Sequence, residues 1–433
     1  MSIKILSAAD MHLGRTSSLP GNNPRPSVRE GLSNLVRYAT ENAVDVLCFS
    51  GDIVDNYNNF WEARGPLQTA FDEFKHAGIE VFMVAGNHDF NVLASMVQEN
   101  RNQHVHLLGK NARWEVQTFT KGQESIQFVG WSFNQKHISH DPLADFDDRM
   151  LKPDIPSVGL LHCETDSPES KYAPVNTDHL IKTGLNAWLL GHIHKPNVIR
   201  EHEPFIAYPG STQALSAGEE GIHGALLLSI EQDGSLENRK IPLSPVRYET
   251  ITVEIKPHTN QDAFRMAVAD VIDEKSPEFL DEADQPEYLI YDLQLTGEHE
   301  NPLQAEAWAQ ELADAPPLRP AGYPQSNYMI RKLRNHIAQA LINLEKLAQE
   351  PSPAGELAKS IIALQNGKST EFLDKLRLGW KEKQRQLQNA GAFHPVFRNE
   401  DLDMSGEKER ADDYLMKTCK TLLENITNQM QNA

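Results

Sequence analysis

The chain has 433 residues, of which 39% are hydrophobic, 7% aromatic and 24% charged, with a formal net charge of -20. That length exceeds what one ordinary hydrophobic core organises and predicts two or three domains, while the composition excludes a disordered or membrane-embedded polypeptide. The acidic balance argues against capture of nucleic acid by overall attraction, because such binders usually present a basic face.

The chain opens directly on Ile3, Ile5 and Leu6, and no basic region, apolar run and cleavage site of a signal peptide is readable. No apolar stretch reaches the roughly 18 residues that suggest a membrane span. Cys48, Cys163 and Cys419 are far apart and fit neither a disulfide framework nor a zinc spacing. The expected location is therefore a reducing cytoplasm, away from any membrane. Cys163 adjoins His162 and could be a soft ligand, but a buried free thiol is the simpler reading.

In chain order, strand-like runs at Ile3–Ala8, Val44–Ser50 and Val81–Ala85 alternate with helical patterns at Val28–Ala43 and Trp61–His76, an α/β rhythm. Later strand-like runs, Ile126–Phe133, Val158–His162, Trp188–Leu190 and Ala225–Ile230, come closer together and predict more strand pairing, with room for a second sheet. A boundary is expected near 245, giving a first domain of residues 1–245. Strand-like Thr250–Ile255, helical Asp262–Ile272 and strand-like Tyr288–Leu295 then predict a small α+β module over 246–325. It is strongly acidic, with 17 acidic against 5 basic residues. The turn formers of Ala315–Pro324 read as a linker. Over 326–433 a helical C-terminal segment is expected. Its apolar residues recur at three- and four-residue steps, first at Ile330, Leu333, Ile337, Leu341, Leu344 and Leu347, then at Phe372, Leu373, Leu376 and Trp380, and last at Leu415, Leu422, Leu423 and Ile426. This segment is nearly balanced, at 16 basic against 14 acidic residues.

Five clusters carry chemistry, and each follows a run that reads as a buried strand: Asp10-Met11-His12, Gly51-Asp52-Ile53-Val54-Asp55, Gly86-Asn87-His88-Asp89, Leu161-His162 and Gly191-His192-Ile193-His194. In open α/β sheets ligands bind beyond the carboxyl ends of strands, so the five can converge on one site. Carboxylate, imidazole and amide oxygens without thiolates suit manganese, iron or zinc in a reactive site, not a structural zinc. Seven candidate ligands are too many for one ion but are all used by two ions that share a carboxylate. Singly, Asp10 or Asp52 reads as a cap or turn residue, Gly-Asn or Asn-His as a turn, and His162 as an ordinary buried histidine. Jointly, five such clusters at strand ends have no common structural rationale.

The series D-x-H, G-D-x-x-D, G-N-H-D, a lone H and G-H-x-H resembles the calcineurin-like metallophosphoesterase superfamily over about the first 215 residues. Within it the chain is most similar to SbcD-type DNA repair exonucleases, through Asp10-Met11-His12-Leu13-Gly14, Gly86–Asp89, Gly191–His194 and the turn Tyr208-Pro209-Gly210-Ser211. The resemblance implies two packed β-sheets flanked by helices, a small capping domain and a helical tail. It implies one metal on Asp10, His12, Asp52 and His194 and a second on Asp52, Asn87, His162 and His192, both usually manganese, with Asp52 bridging. His88 is then a catalytic residue beside the scissile phosphate, oriented by Asp55, and hydroxide from a metal-activated water attacks phosphorus. Arg15, Lys195, Lys136 and His137 are candidate phosphate contacts, each also readable as an ordinary solvated side chain. The resemblance further implies a homodimeric DNA exonuclease, with endonuclease activity also in range, docked through its tail onto a coiled-coil ATPase of the SbcC type. An acidic cap departs from that pattern. The runner-up activity is hydrolysis of a small phosphodiester or cyclic nucleotide. A phosphoprotein phosphatase is disfavoured because Asn56-Tyr57 stands where that pattern wants Arg-Gly, and a metal-free scaffold ranks last because every ligand position is filled.

Overall fold

The structure is a computed structural model and describes residues 2–15, 27–56, 60–99, 103–257, 259–279, 286–315, 326–339, 344–388 and 407–431. The chain divides into two compact units, one of 1–254, 260–296 and 306–336, the other of 255–259, 297–305 and 337–433.

The first unit begins with β1 (Ile3–Ala8), α1 (Val28–Glu41), β2 (Val46–Ser50), α2 (Phe60–Ala77), β3 (Glu80–Val84), α3 (Leu93–Glu99) and β4 (Val105–Leu107). It continues through β5 (Glu115–Lys121), β6 (Glu124–Trp131), β7 (Ser157–His162), β8 (Glu164–Thr165), β9 (Pro174–Val175), α4 (Thr177–Lys182), β10 (Ala187–Gly191), β11 (Asn197–Arg200), β12 (Phe205–Tyr208), β13 (Gly224–Ile230) and β14 (Leu236–Pro242). Local sequence explains the boundaries. At the start of α1 the Ser27 side chain accepts from the Arg29 N–H, a cap that contributes ~1 kcal/mol. Val28, Leu32, Leu35 and Ala39 then recur on its buried face.

Two six-stranded sheets result, in the orders β14-β13-β1-β2-β3-β4 and β11-β12-β10-β7-β6-β5. Strands β1 to β4 run parallel, as do β12, β10, β7 and β6. Strand alternation then sorts the side chains. Ile3, Ile5, Val46, Cys48, Phe82 and Val84 meet Phe128, Val158, Leu160, Ala187 and Leu189 in one buried layer between the sheets. The intervening Leu6, Ala8, Leu47, Phe49, Val81 and Met83 face Leu32, Leu35, Phe71 and Phe74 of the covering helices. On the far side of the second sheet Trp131, Leu161, Trp188 and Leu190 pack with Ile138, Val175 and Leu180. The expectation of two packed sheets flanked by helices holds.

After β14 come β15 (Val246–Ile255), α5 (Gln261–Phe279), β16 (Tyr288–His299), α6 (Pro302–Ala313) and β17 (Asn327–Asn335), with a third sheet ordered β15-β16-β17. The α+β character expected after residue 245 is present. One expectation is corrected: the stretch holding Ile330 and Leu333, read as helical, is strand β17 and pairs in parallel with Tyr288–Leu295. Its three-residue apolar spacing mimics a helix turn, and the distant partner strand overrides it. Of the expected linker, 316–324 lies outside the described residues, as does Leu341.

The second unit contains β18 (Ala338–Gln339), α7 (Leu344–Leu347), α8 (Pro353–Gln365), α9 (Glu371–Gln388) and α10 (Glu407–Gln431). Ser352 caps α8 by accepting from Gly355 N–H, with Pro353 in the first turn. Ala354, Leu357 and Ile361 bury against Cys419 and Leu423, and Ala363, Leu373 and Leu415 form a neighbouring cluster with Leu376 at its edge. The helical stripes therefore cover one another in part. No described helix is long and apolar enough to cross a membrane.

Candidate metal centre

Because β1, β2 and β3 are parallel and β7 is parallel to β10, the loops leaving their carboxyl ends lie side by side. The sheets are tied together there. Ser50, the last residue of β2, donates its hydroxyl to the Leu189 carbonyl at 2.8 Å, and its own carbonyl accepts from His162 Nδ1 at 3.0 Å. Close approach of the loops demands glycine at two points: a Cβ on Gly86 would fall onto the Asp52 carboxylate, and one on Gly191 onto the Ser50 carbonyl. Four site residues other than glycine hold left-handed backbone, Asp10 (φ 48°), His12 (46°), Asp52 (51°) and His192 (100°). Such strain costs on the order of 1 kcal/mol or more per residue and persists where function requires it.

Ligand atoms of Asp10, His12 and His194 lie within 4.8 Å of one another, as do those of Asp10, Asp52 and His162 and those of His12, Asp55 and His88. The donor set fits cations. Nε2 of His12 and Nε2 of His194 face each other at 3.1 Å, while the Nδ1 atoms contact Asp55 at 3.1 Å and Glu219 at 3.1 Å. With each Nδ1–H donated to a carboxylate, two lone pairs point at one another, which is favourable only around a cation. The same holds across the site. His162 donates Nδ1–H to Ser50 and, when neutral, turns its Nε2 lone pair toward the Asn87 Oδ1 at 3.0 Å and the Asp52 Oδ2 at 3.3 Å, so a cation bound there takes the place of a proton.

His192 joins through its backbone and its ring: its N–H donates to Asp10 at 3.0 and 3.1 Å, and the ring lies 5.3 Å from that of His162 and 4.6 Å from that of Tyr172. Burial and then His162 lower its pKa to about 3, so its imidazole stays neutral. Burial opposes ionisation of Asp52, but the charge and hydrogen bond of His162, with His12 and His88, hold its carboxyl well below the usual range. Burial raises Asp10. Burial likewise opposes charge on His162, yet Asp52 and Asp10 push it up to about 9. Cys163 is buried, and that burial pushes its thiol up, so it is inert.

His88 and Asp55 are brought together by an unexpected atom. His88 Nδ1 contacts the backbone carbonyl of Asp55 at 2.5 Å, whereas its distance to the carboxylate is 4.0 Å. The carboxylate binds His12 instead. Arg15 Nε lies 3.6 Å from that same carboxylate, with its side chain 44% exposed, and Lys195, Lys136 and His137 are exposed. The His137 ring lies 5.7 Å from that of Tyr172.

The sequence assigns Asp89 no role beyond shaping its loop and assigns Glu219 none. Buried Asp89 accepts from Gly86 N–H at 2.8 Å and Ile53 N–H at 2.7 Å, clamping two ligand loops together. Burial and the neighbouring Asp52 push its carboxyl up to about 7. Its place in Gly86–Asp89 was the available signal. Glu219, beside His194, carries no motif signal at all.

Residues 3–196 match the family model of calcineurin-like phosphoesterases. Over 278 residues the chain is 27% identical to the "Uncharacterized metallophosphoesterase YhaO" of Bacillus subtilis, covering 62% of this chain and 67% of that one. Over 293 residues it is 24% identical to the "DNA double-strand break repair protein Mre11" of Methanopyrus kandleri, covering 61% of this chain and 62% of that one. The chain thus spans about two thirds or less of these relatives. A solved dimetal phosphatase from Danio rerio is 13% identical, with 55% of this chain and 96% of that chain covered and a TM-score of 0.36.

Proposed function

We propose, for a chain whose residues 3–196 match the calcineurin-like phosphoesterase family, the hydrolysis of phosphodiester bonds in DNA, performed as the nuclease partner of an SbcC-like coiled-coil ATPase. The observation that carries the hydrolytic part is the convergence of imidazole and oxygen lone pairs that need cations between them. One divalent cation, manganese by preference, would be held by Asp10, His12, Asp52 and His194, and the other by Asp52, Asn87, His162 and His192. Two such cations, when bound, lower the pKa of water and neutralise charge on the phosphate.

The chain's own residues supply the rest. Asp55 and Ser50 fix the tautomers of His12 and His162 so that each presents Nε2. His88 stands outside both ligand sets with 37% of its side chain exposed. Its Nδ1 is engaged by the Asp55 carbonyl, which leaves Nε2 to meet a phosphate oxygen or to pass a proton to the leaving oxygen. Arg15 and Lys195 flank the ligand loops as phosphate contacts.

DNA as substrate and repair as the setting are supported by the likeness to an Mre11 over 61% of the chain; homodimerisation and docking through the tail extend that reading. In this reading the acidic module after residue 245 caps the site and the helices of the second unit meet the ATPase. One observation favours the alternative of a small phosphodiester or cyclic nucleotide: a net charge of -20 offers DNA little attraction. Purified chain with manganese and labelled duplex DNA, single-stranded DNA or bis(p-nitrophenyl) phosphate separates them. The proposal expects DNA cleavage that stops with chelator. Cleavage of the small diester alone would overturn the nuclease reading and keep the phosphodiesterase.

A further inference from the structure

The turn Tyr208-Pro209-Gly210-Ser211 and the acidic residue Glu219 lie beyond the stretch matched by the family, yet they close around His194. Ser211 N–H donates to the His194 carbonyl at 2.8 Å. The Ser211 hydroxyl donates to Glu219 Oε2 at 2.8 Å, which also accepts from Leu215 N–H at 3.1 Å. Glu219 Oε1 contacts His194 Nδ1 at 3.1 Å, and only 12% of the Glu219 side chain is exposed. Behind Ser211, buried His223 places Nδ1 2.9 Å from the hydroxyl oxygen and 3.1 Å from the Ser211 carbonyl.

These contacts have a direction. A carboxylate only accepts, so His194 brings a proton to Nδ1, and the neutral ring that binds a cation keeps its lone pair on Nε2. His223 donates toward Ser211, so the serine hydroxyl keeps its own proton for Glu219. We propose that Ser211 and Glu219 are positioning residues that fix the tautomer and ring orientation of His194 as a cation ligand. The relay rests on the two-cation reading above. Carboxylate support of this kind changes metal affinity by roughly 10–100-fold when removed.

The test uses the full-length chain, stripped of metal and titrated with manganese against a competing chelator, together with thermal unfolding of the metal-free form. The wild type is expected to take up two manganese ions. Glu219→Ala should weaken one of the two binding steps by roughly 10–100-fold, leave the other step unchanged and leave the metal-free unfolding temperature unchanged. Ser211→Ala should weaken the same step by less. Glu219→Gln, whose carbonyl can still accept from Nδ1–H, should recover part of the loss. If the wild type takes up two ions and Glu219→Ala binds both as the wild type does, the relay is wrong and the metal centre stands. If Glu219→Ala weakens both steps and lowers the metal-free unfolding temperature, Glu219 is a structural prop and the proposal fails. A wild type that never exceeds one ion refutes the two-cation reading itself, whatever Glu219 does.

Discussion

Asp55 supports two histidines through different atoms, its carboxylate on His12 and its carbonyl on His88. The distinction predicts different phenotypes. Asp55→Ala removes only the carboxylate, so it should lower manganese affinity by roughly 10-fold or more while His88 keeps its contact. His88→Ala should lower turnover by roughly 10²–10³-fold with metal content intact. Metal analysis and kinetics on the same preparations check both, and a His88→Ala chain that arrives without metal would show that His88 is a ligand. The seven candidate ligand residues were legible in the sequence because each follows a strand within a short motif. Asp89 and Glu219 were not assigned, since a residue that works by holding another loop has no fixed spacing from it along the chain.

At the scale of elements, the loops are shaped by their approach to one another. Gly86→Ala would push a methyl group into the Asp52 carboxylate, so the variant should lose manganese binding and unfold at lower temperature. Unchanged metal uptake by this variant would contradict the packing described. In the helical unit, Leu373 is fully buried whereas Phe372 is 41% exposed. Leu373→Ala should therefore cost about 2–5 kcal/mol, against about 0.5 kcal/mol or less for Phe372→Ala. Denaturant unfolding measures both, and equal losses would place Phe372 in an interface instead. Strands such as β1, β2 and β7 were readable because continuous apolar runs mark strands buried on both faces. β17 was misread because Arg331, Lys332 and Arg334 interrupt its apolar residues at helix-like intervals, and its partner strand starts about forty residues earlier.

At the scale of the whole molecule, charge is the dominant constraint. With a net charge of -20, few phosphate contacts are available outside the metal loops, so isolated protein should bind DNA weakly and with a shallow salt dependence. A steep slope in a filter-binding or anisotropy series would reveal a basic surface. The packed sheets and the convergence of strand ends followed from an α/β rhythm that any reader can count. How the tail helices bury their stripes did not follow, because periodicity identifies an apolar face without naming what covers it. A pair of cations sharing Asp52 is tested by the metal content of wild-type and Asp52→Ala chains equilibrated with excess manganese and freed of unbound ion. Two manganese ions per wild-type chain and none retained by Asp52→Ala are expected. A wild-type count that stays at one, or an Asp52→Ala chain that keeps its metal, would contradict the shared pair.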